Sequence, residues 1–206
     1  MRSTLFEKLE PTMAEWVEFF GSFIRQPARV GAVAPSSPFL AQAMLHGCDL
    51  GKAQSVVEYG PGTGAFTRLI LERINKSTTF FALELDCDHV RRLRERFPGL
   101  KVHQDCAETI QKYLALHRKQ KADYVISGLP WSNMPAGAQE RILKMTVGSL
   151  GSKGMFTTFT YIHAYWLPGG RRFRASLKKH FSEVSVSPIV WQNMPPALVY
   201  RCRLKK

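Results

Sequence analysis

Two hydrophobic periods alternate along this chain, and the changes from one to the other mark its elements. From Met13 the apolar residues fall at Met13, Trp16, Val17, Phe20, Phe23 and Ile24, the i, i+3, i+4, i+7 spacing of an amphipathic helix, with Phe19 widening the stripe. A second helix is expected from Phe39 to Leu45, with Ser37 as its N-cap, Pro38 at the first helical position and Gly47 at its close. Val56 and Val57 read as a short buried strand, Phe66 to Ile74 as a helix, and Thr78 to Leu85 as a second buried strand. The segment 88–97 turns Val90, Leu93 and Phe97 inward and Arg91, Arg92, Arg94 and Arg96 outward as a solvated face. A third strand leads from Lys101 to Asp105, a fourth covers Tyr124 to Ile126, a helix covers Met134 to Val147, and a fifth strand covers Gly154 to Tyr161. Arg171, Arg172, Arg174, Lys178 and Lys179 surround Phe173, Leu177 and Phe181 in a basic amphipathic helix. Two strands, 183–191 and 197–204, joined at Asn193-Met194-Pro195-Pro196, close the chain. Strands that alternate with helices in this way define an α/β domain.

The first strand ends in Glu58 and passes into Gly60, Gly62 and Gly64, after which a helix opens near Ala65. Glycines at such a turn let a ligand approach the backbone, and the opening helix points unpaired N–H groups at it. Gly60, Gly62 and Ala65 also fit the dinucleotide fingerprint, so the discriminating residue is Glu58. A carboxylate there repels a pyrophosphate and attracts a ligand with a positive amino group. Glu84, twenty positions beyond Gly64, stands where a parallel βαβ unit places an acid on ribose hydroxyls. The alternative for it is a solvated acid at a strand end.

The run Glu58-x-Gly60-x-Gly62-x-Gly64 resembles motif I of the class I S-adenosylmethionine-dependent methyltransferases. The resemblance implies a Rossmann-like fold: a seven-stranded, mainly parallel sheet with the last strand antiparallel, preceded here by an N-terminal helical extension. It implies S-adenosylmethionine as cofactor, with Glu58, Gly60, Gly62, Thr63 and Gly64 at its amino-acid end and Glu84 and Leu85 at the ribose. It gives Asp105 and the Cys106 N–H to the adenine, and adds Ser127 at the end of the fourth strand. Ser127-Gly128-Leu129-Pro130-Trp131 resembles motif IV, where amino-directed methyltransferases place the acceptor nitrogen. RNA adenine dimethylases, similar in much of this pattern, carry an Asn where Gly128 stands, and its amide hydrogen-bonds the poorly nucleophilic adenine amine. An aliphatic amine needs no such help once deprotonated.

The N-terminal run from Phe19-Phe20 through Gln26-Pro27 to Gly31-Ala32-Val33-Ala34-Pro35-Ser36-Ser37-Pro38 resembles the bacterial phospholipid N-methyltransferases, as does Val190-Trp191-Gln192-Asn193-Met194-Pro195-Pro196-Ala197. That family converts phosphatidylethanolamine stepwise to phosphatidylcholine. The resemblance implies an N-terminal helical extension over 1–46, associated with the membrane, and a methyltransferase domain over 47–206. Gly128, Leu129, Pro130, Trp131, Tyr165 and Arg172 are the expected substrate-binding residues. The alternative is an RNA or rRNA adenine N6-methyltransferase; Gly128 and the lack of residues for a helical C-terminal domain weigh against it.

Charge bears on the partner. A formal net charge of +13 over 206 residues calls for an anionic partner, a membrane surface or nucleic acid, and does not choose between them. The 13–24 stripe is not itself cationic, so it either packs on the domain or lies in an interface whose attraction comes from elsewhere in the chain. No apolar run is long enough to span a bilayer and no signal pattern is present, which places the expected location in the cytoplasm, peripherally on the inner face of the membrane. Cys48, Cys87, Cys106 and Cys202 are scattered, so no metal is expected, and no obligate protein partner is evident. A primary ammonium with a pKa near ~10.4 costs on the order of 4 kcal/mol to deprotonate at neutral pH. Tyr161 and His163, after the fifth strand, are the candidate bases. Trp131, Tyr161 and Tyr165 either offer π faces to a methylated cation or belong to the core.

Overall fold

The computed structural model of the chain describes residues 36–204; the Met13–Ile24 stripe and most of the N-terminal run that carries the phospholipid methyltransferase resemblance lie outside them. Seven strands form one sheet: β1 (Ser55–Tyr59), β2 (Thr79–Glu84), β3 (Lys101–Gln104), β4 (Ala122–Ser127), β5 (Leu150–Tyr161), β6 (Glu183–Val186) and β7 (Ala197–Arg203). Their order is β3-β2-β1-β4-β5-β7-β6. β1 to β5 pair in parallel, and β7 runs antiparallel to both β5 and β6. The expected sheet, mainly parallel with its last strand antiparallel, is the observed one. The order reverses between β1 and β4, so a crevice opens outside the carboxyl ends of those two strands.

Successive side chains of a strand point to opposite faces, and β1 uses this to build two cores. Val57 faces Phe81, Val125 and Phe156 in a core covered by α4 (Ile110–Leu116), α5 (Ala136–Ser149) and α7 (Pro168–His180). Val56 faces Phe80, Ile126 and Val199 in a core covered by α1 (Pro38–Leu45) and α2 (Ala65–Arg73). Every residue of β1 is buried, so a central parallel strand tolerates Glu58 only because that position serves something else. α3 (Cys87–Arg96) packs Val90 and Leu93 on Ala82 and Val102, and α6 (Ile162–Trp166) links β5 to α7.

α1 carries the expected cap: the Ser37 hydroxyl accepts the Leu40 N–H at 3.2 Å, with Pro38 at the first position. It lies inside the 1–46 stretch, and Leu40, Ala41, Met44 and Leu45 are buried in the same core as Val56. In α7, Phe173, Leu177 and Phe181 face inward as expected.

Two strands depart furthest from their expected extents. β5 begins at Leu150 rather than Gly154, because the register with β4 shifts between Ala122 and Tyr124 and lets Leu150 pair with Ala122. Gly154 sits in that irregularity, where a Cβ would come 2.9 Å from the Gly151 carbonyl. β6 stops at Val186. Beyond it Ser187 pairs with Val199 through both its N–H and its hydroxyl, and Pro188 has no N–H to continue the ladder.

Candidate active site

The crevice is built from four strand ends. The Gly60 N–H donates to the Leu83 carbonyl at 2.9 Å and the Gly128 N–H to the Tyr59 carbonyl at 2.8 Å, which locks the glycine turn between β2 and β4. Gly64 has φ +83° and begins α2; a Cβ there would lie 2.5 Å from the Phe97 ring. Thr63 is exposed, and its carbonyl accepts from the Arg96 guanidinium at 2.8 Å.

Two buried acids face this turn from adjacent strands. Glu58 is fully buried. Its Oε2 accepts from the Thr67 hydroxyl at 2.7 Å, whereas Oε1 has no hydrogen-bond partner among the described residues. Burial raises this carboxyl to about 8; the Thr67 hydroxyl opposes the rise and the charge of Glu84 adds to it. Glu84 is also buried, and its Oε2 accepts the Gly62 N–H at 3.0 Å while Oε1 accepts the Asp86 N–H at 3.1 Å. Burial raises it as well, against those two N–H groups. A buried acceptor with no donor is costly, and an ammonium supplies the missing donor together with the opposite charge. A pyrophosphate carries only acceptor oxygens and would leave Oε1 without a donor. The residues present therefore fit S-adenosylmethionine and do not fit a dinucleotide.

A narrow cleft adjoins the turn, lined by Leu83, Glu84, Leu85, Asp105, Cys106 and Leu129 among others. Asp105 is held locally: Oδ1 accepts the Cys106 N–H at 2.8 Å, and Oδ2 accepts from the Lys112 ammonium at 2.9 Å and the Tyr113 hydroxyl at 3.0 Å. Burial pushes this carboxyl up, but those three donors outweigh it and leave it below the usual range. The implied adenine contacts of Asp105 and Cys106 must share or open their mutual bond.

The motif IV loop is ordered by a side chain whose use differs from the expected one. The Ser127 hydroxyl accepts the Trp131 indole N–H at 3.0 Å and the Leu129 N–H at 3.3 Å, and Ser127 is fully buried, so its side chain holds the loop. Trp131 is 1% exposed and stacks on Phe173, with ring centres 4.8 Å apart. It belongs to the core and offers no π face to a substrate. Its large apolar area finds a neighbour in α7, and its one polar atom finds Ser127. Leu129 remains at the crevice wall, and Pro130 is half-buried.

At the end of β5 the rings of Tyr161 and His163 stack with centres 5.7 Å apart. Burial raises the Tyr161 hydroxyl, so it is neutral at pH 7 and its oxygen can accept a hydrogen bond but not a proton. His163 is exposed. Tyr165 already holds a cation, with the Arg174 guanidinium 4.6 Å over its ring, and Arg172 is exposed on the second turn of α7. The structure thus gathers the glycine turn, Glu58, Glu84, Asp105, Cys106 and Leu129, and keeps Trp131 in the core and the Tyr165 face under Arg174. Thr67, Met134 and Ile142 were not expected at the site. Thr67 holds Glu58, and the other two line the cleft from α5 and the turn before it. Thr67 sits at helical position three after Gly64, a spacing that reaches back to the strand end; Met134 and Ile142 read simply as core.

The comparisons agree with this geometry. A solved structure of human methyltransferase-like protein 13 in complex with SAH is 17% identical, covers 81% of this chain and 79% of that one, and superposes with a TM-score of 0.59. The fold and the acid-and-glycine crevice define a class I S-adenosylmethionine-dependent methyltransferase. Ornithine lipid N-methyltransferase of Singulisphaera acidiphila is 31% identical over 196 residues, 93% of this chain and 97% of that protein, and the chain belongs to the family of that lipid N-methyltransferase. Ribosomal RNA small subunit methyltransferase A of a Synechococcus species is 34% identical over 105 residues, which is 50% of this chain and 36% of that protein. No family model matches the chain.

Proposed function

We propose that this chain is an S-adenosylmethionine-dependent N-methyltransferase acting on the amine of a membrane lipid, and that it converts phosphatidylethanolamine through its methylated intermediates toward phosphatidylcholine. The observation that carries the choice of an aliphatic amine is Gly128, which lies at motif IV with no room for the amide that an adenine amine requires. The cofactor supplies an electrophilic methyl on its sulfonium. Glu58 and the glycine turn orient its amino-acid end, Glu84 its ribose, and Asp105 with Cys106 its adenine. Leu83 and Leu129 shield the cleft from water. Holding two reactants in line is most of the catalysis such a site needs. The His163 ring, just past the end of β5, is the proposed acceptor of the proton of the substrate ammonium, and the neutral Tyr161 hydroxyl stacked beside it would accept a hydrogen bond from that ammonium. An anionic membrane surface is the proposed partner, met by the exposed arginines of α7. Among the described residues no helix is long and apolar enough to cross a membrane, which suits peripheral association.

A second reading has ornithine lipid as acceptor, favoured by the name of the relative that matches almost end to end. Both lipids present a primary amine a few methylenes from an anionic group. Labelled S-adenosylmethionine offered with vesicles of phosphatidylethanolamine, vesicles of ornithine lipid and undermethylated ribosomal RNA separates the readings. Label in phosphatidylethanolamine, lost in Glu58→Ala, is the expected result; label confined to ornithine lipid moves the acceptor, and label only in RNA overturns both.

A further inference from the structure

Large apolar side chains left in water are distributed unevenly over this fold. Among the described residues, Phe39, Trp166, Leu167, Trp191 and Met194 are exposed, Trp166 by 63%, Trp191 by 65% and Met194 by 71%. They come from three separated stretches of chain, yet all three lie beyond the carboxyl end of the sheet. Trp166 and Leu167 follow β5 through α6. Trp191 and Met194 belong to the turn that delivers β7 to Tyr161, where Ala197 pairs with Tyr161 and the Ile162 N–H donates to the Pro196 carbonyl at 2.9 Å. Phe39 opens α1 beside them, because the Ser37 N–H donates to the Asn193 side chain at 2.9 Å. By contrast, Leu71 and Leu116 lie toward the C-terminal ends of α2 and α4, which run back to the opposite end of the sheet.

This apolar rim adjoins the acceptor loop. α7 starts so close to motif IV that a Cβ on Gly169 would fall 2.1 Å from the Ser132 carbonyl. Arg171 and Arg172 stand exposed on the next turn, their side chains without a partner among the described residues. Two exposed indoles flanked by unpaired guanidinium groups match the headgroup layer of an anionic bilayer, where an indole is half solvated and a cation meets phosphate. A folded protein partner would more often cover the indoles completely.

We infer that the carboxyl end of the sheet, with Trp166, Leu167, Trp191 and Met194 as its inserting side chains and Arg171 and Arg172 as its charged flank, docks directly on an anionic lipid surface and turns the mouth of the crevice toward the bilayer. This rests on the lipid-amine reading above and adds an orientation to it: the acceptor amine reaches the crevice while its acyl chains stay in the membrane. The lipid is methylated where it lies.

The test uses the full chain with Trp16→Phe, to leave the rim indoles and buried Trp131, and vesicles of equal parts phosphatidylethanolamine and phosphatidylglycerol. Without vesicles, iodide should quench the rim indoles; protection would mean that residues 1–35 or a second copy occupy this face, and would overturn the inference. With vesicles, brominated lipid should quench them, and Trp166→Ser with Trp191→Ser should weaken vesicle binding by about tenfold or more. The same double variant should keep cofactor binding and full transfer to a short-chain phosphatidylethanolamine dissolved as monomers. Unchanged vesicle binding in the double variant, with lipid methylation intact, overturns the docking face alone. No transfer by the parent chain to either form of the lipid overturns the acceptor assignment, while bromine quenching would still uphold the docking face.

Discussion

Gly128 and Gly60 touch backbone to backbone: a Cβ on Gly128 would lie 2.6 Å from the Gly60 carbonyl oxygen. The glycine turn and the acceptor loop therefore brace each other, and the position at which RNA adenine dimethylases carry an amide is closed to side chains. Gly128→Asn is expected to destabilise the protein by about 1–3 kcal/mol through the forced backbone shift, without creating activity on RNA. Thermal denaturation and the labelled rRNA assay check the two halves; an undiminished melting temperature with label in RNA would defeat both.

Glu58 carries a carboxyl raised to about 8 and an acceptor oxygen without a partner. A bound ammonium favours its charged form, so binding of S-adenosylmethionine at pH 7 should release a proton from Glu58, and affinity should rise with pH until about 8. The folded pKa lies above the unfolded one, so the free protein holds a proton there that the unfolded chain gives up. Glu58 thus costs stability increasingly as pH rises from about 4.5 to about 8. Glu58→Gln removes that cost and also the charge, and is expected to raise the melting temperature at pH 8 while weakening cofactor binding by about ten- to a hundredfold. Calorimetry in two buffers of different ionisation enthalpy reads the proton directly.

Trp131 is a core residue, and its replacement should behave as one. Trp131→Ala is expected to cost about 3–5 kcal/mol, measured by denaturant unfolding. Trp131→Phe keeps most of the stack on Phe173 and loses the bond to Ser127, so a smaller loss of about 1 kcal/mol is expected. If Trp131 instead faced the substrate, both variants would unfold like the parent chain and differ only in their acceptor KM.

His103 and His117 meet through their Nε2 atoms at 2.9 Å, and His103 stacks on Tyr113, whose hydroxyl bonds Asp105. Burial depresses both imidazoles, and for His103 the neighbouring His117 and cations add to the effect. Groups depressed in the fold bind protons more readily once it opens. Stability should thus be fully present above pH 6.5 and decline as pH falls below it. His117→Asn should flatten that decline in a pH series of melting temperatures.

Most of the architecture was legible because period and spacing reported it. The alternation at Val56 and Val57, the glycines of motif I and the Ser37-Pro38 cap each have one local cause, and each reappears in the structure as expected. What escaped the sequence were choices settled by distant neighbours. Ser127 and Trp131 look like site residues in motif IV, yet Phe173, over forty positions away, draws the indole into the core and the serine follows it. Tyr165 stood between a π face for a substrate cation and a core ring, and α7 brings Arg174 onto that face. Thr67 looked like one more helix residue, and only the depth of Glu58 makes it a partner. β5 outran its expected start because a register shift with β4, which no local pattern announces, gave Leu150 a strand to pair with.

The two ends of the described fold leave it in opposite directions. The chain enters at Ser37, tied to Asn193 beside the crevice mouth, and β7 carries it away to the far end of the sheet, where Arg203 pairs with Met155 and Glu183. The described chain thus starts on the working side of the enzyme and ends at its back. A fluorophore or surface tether joined at the C-terminus should leave turnover untouched.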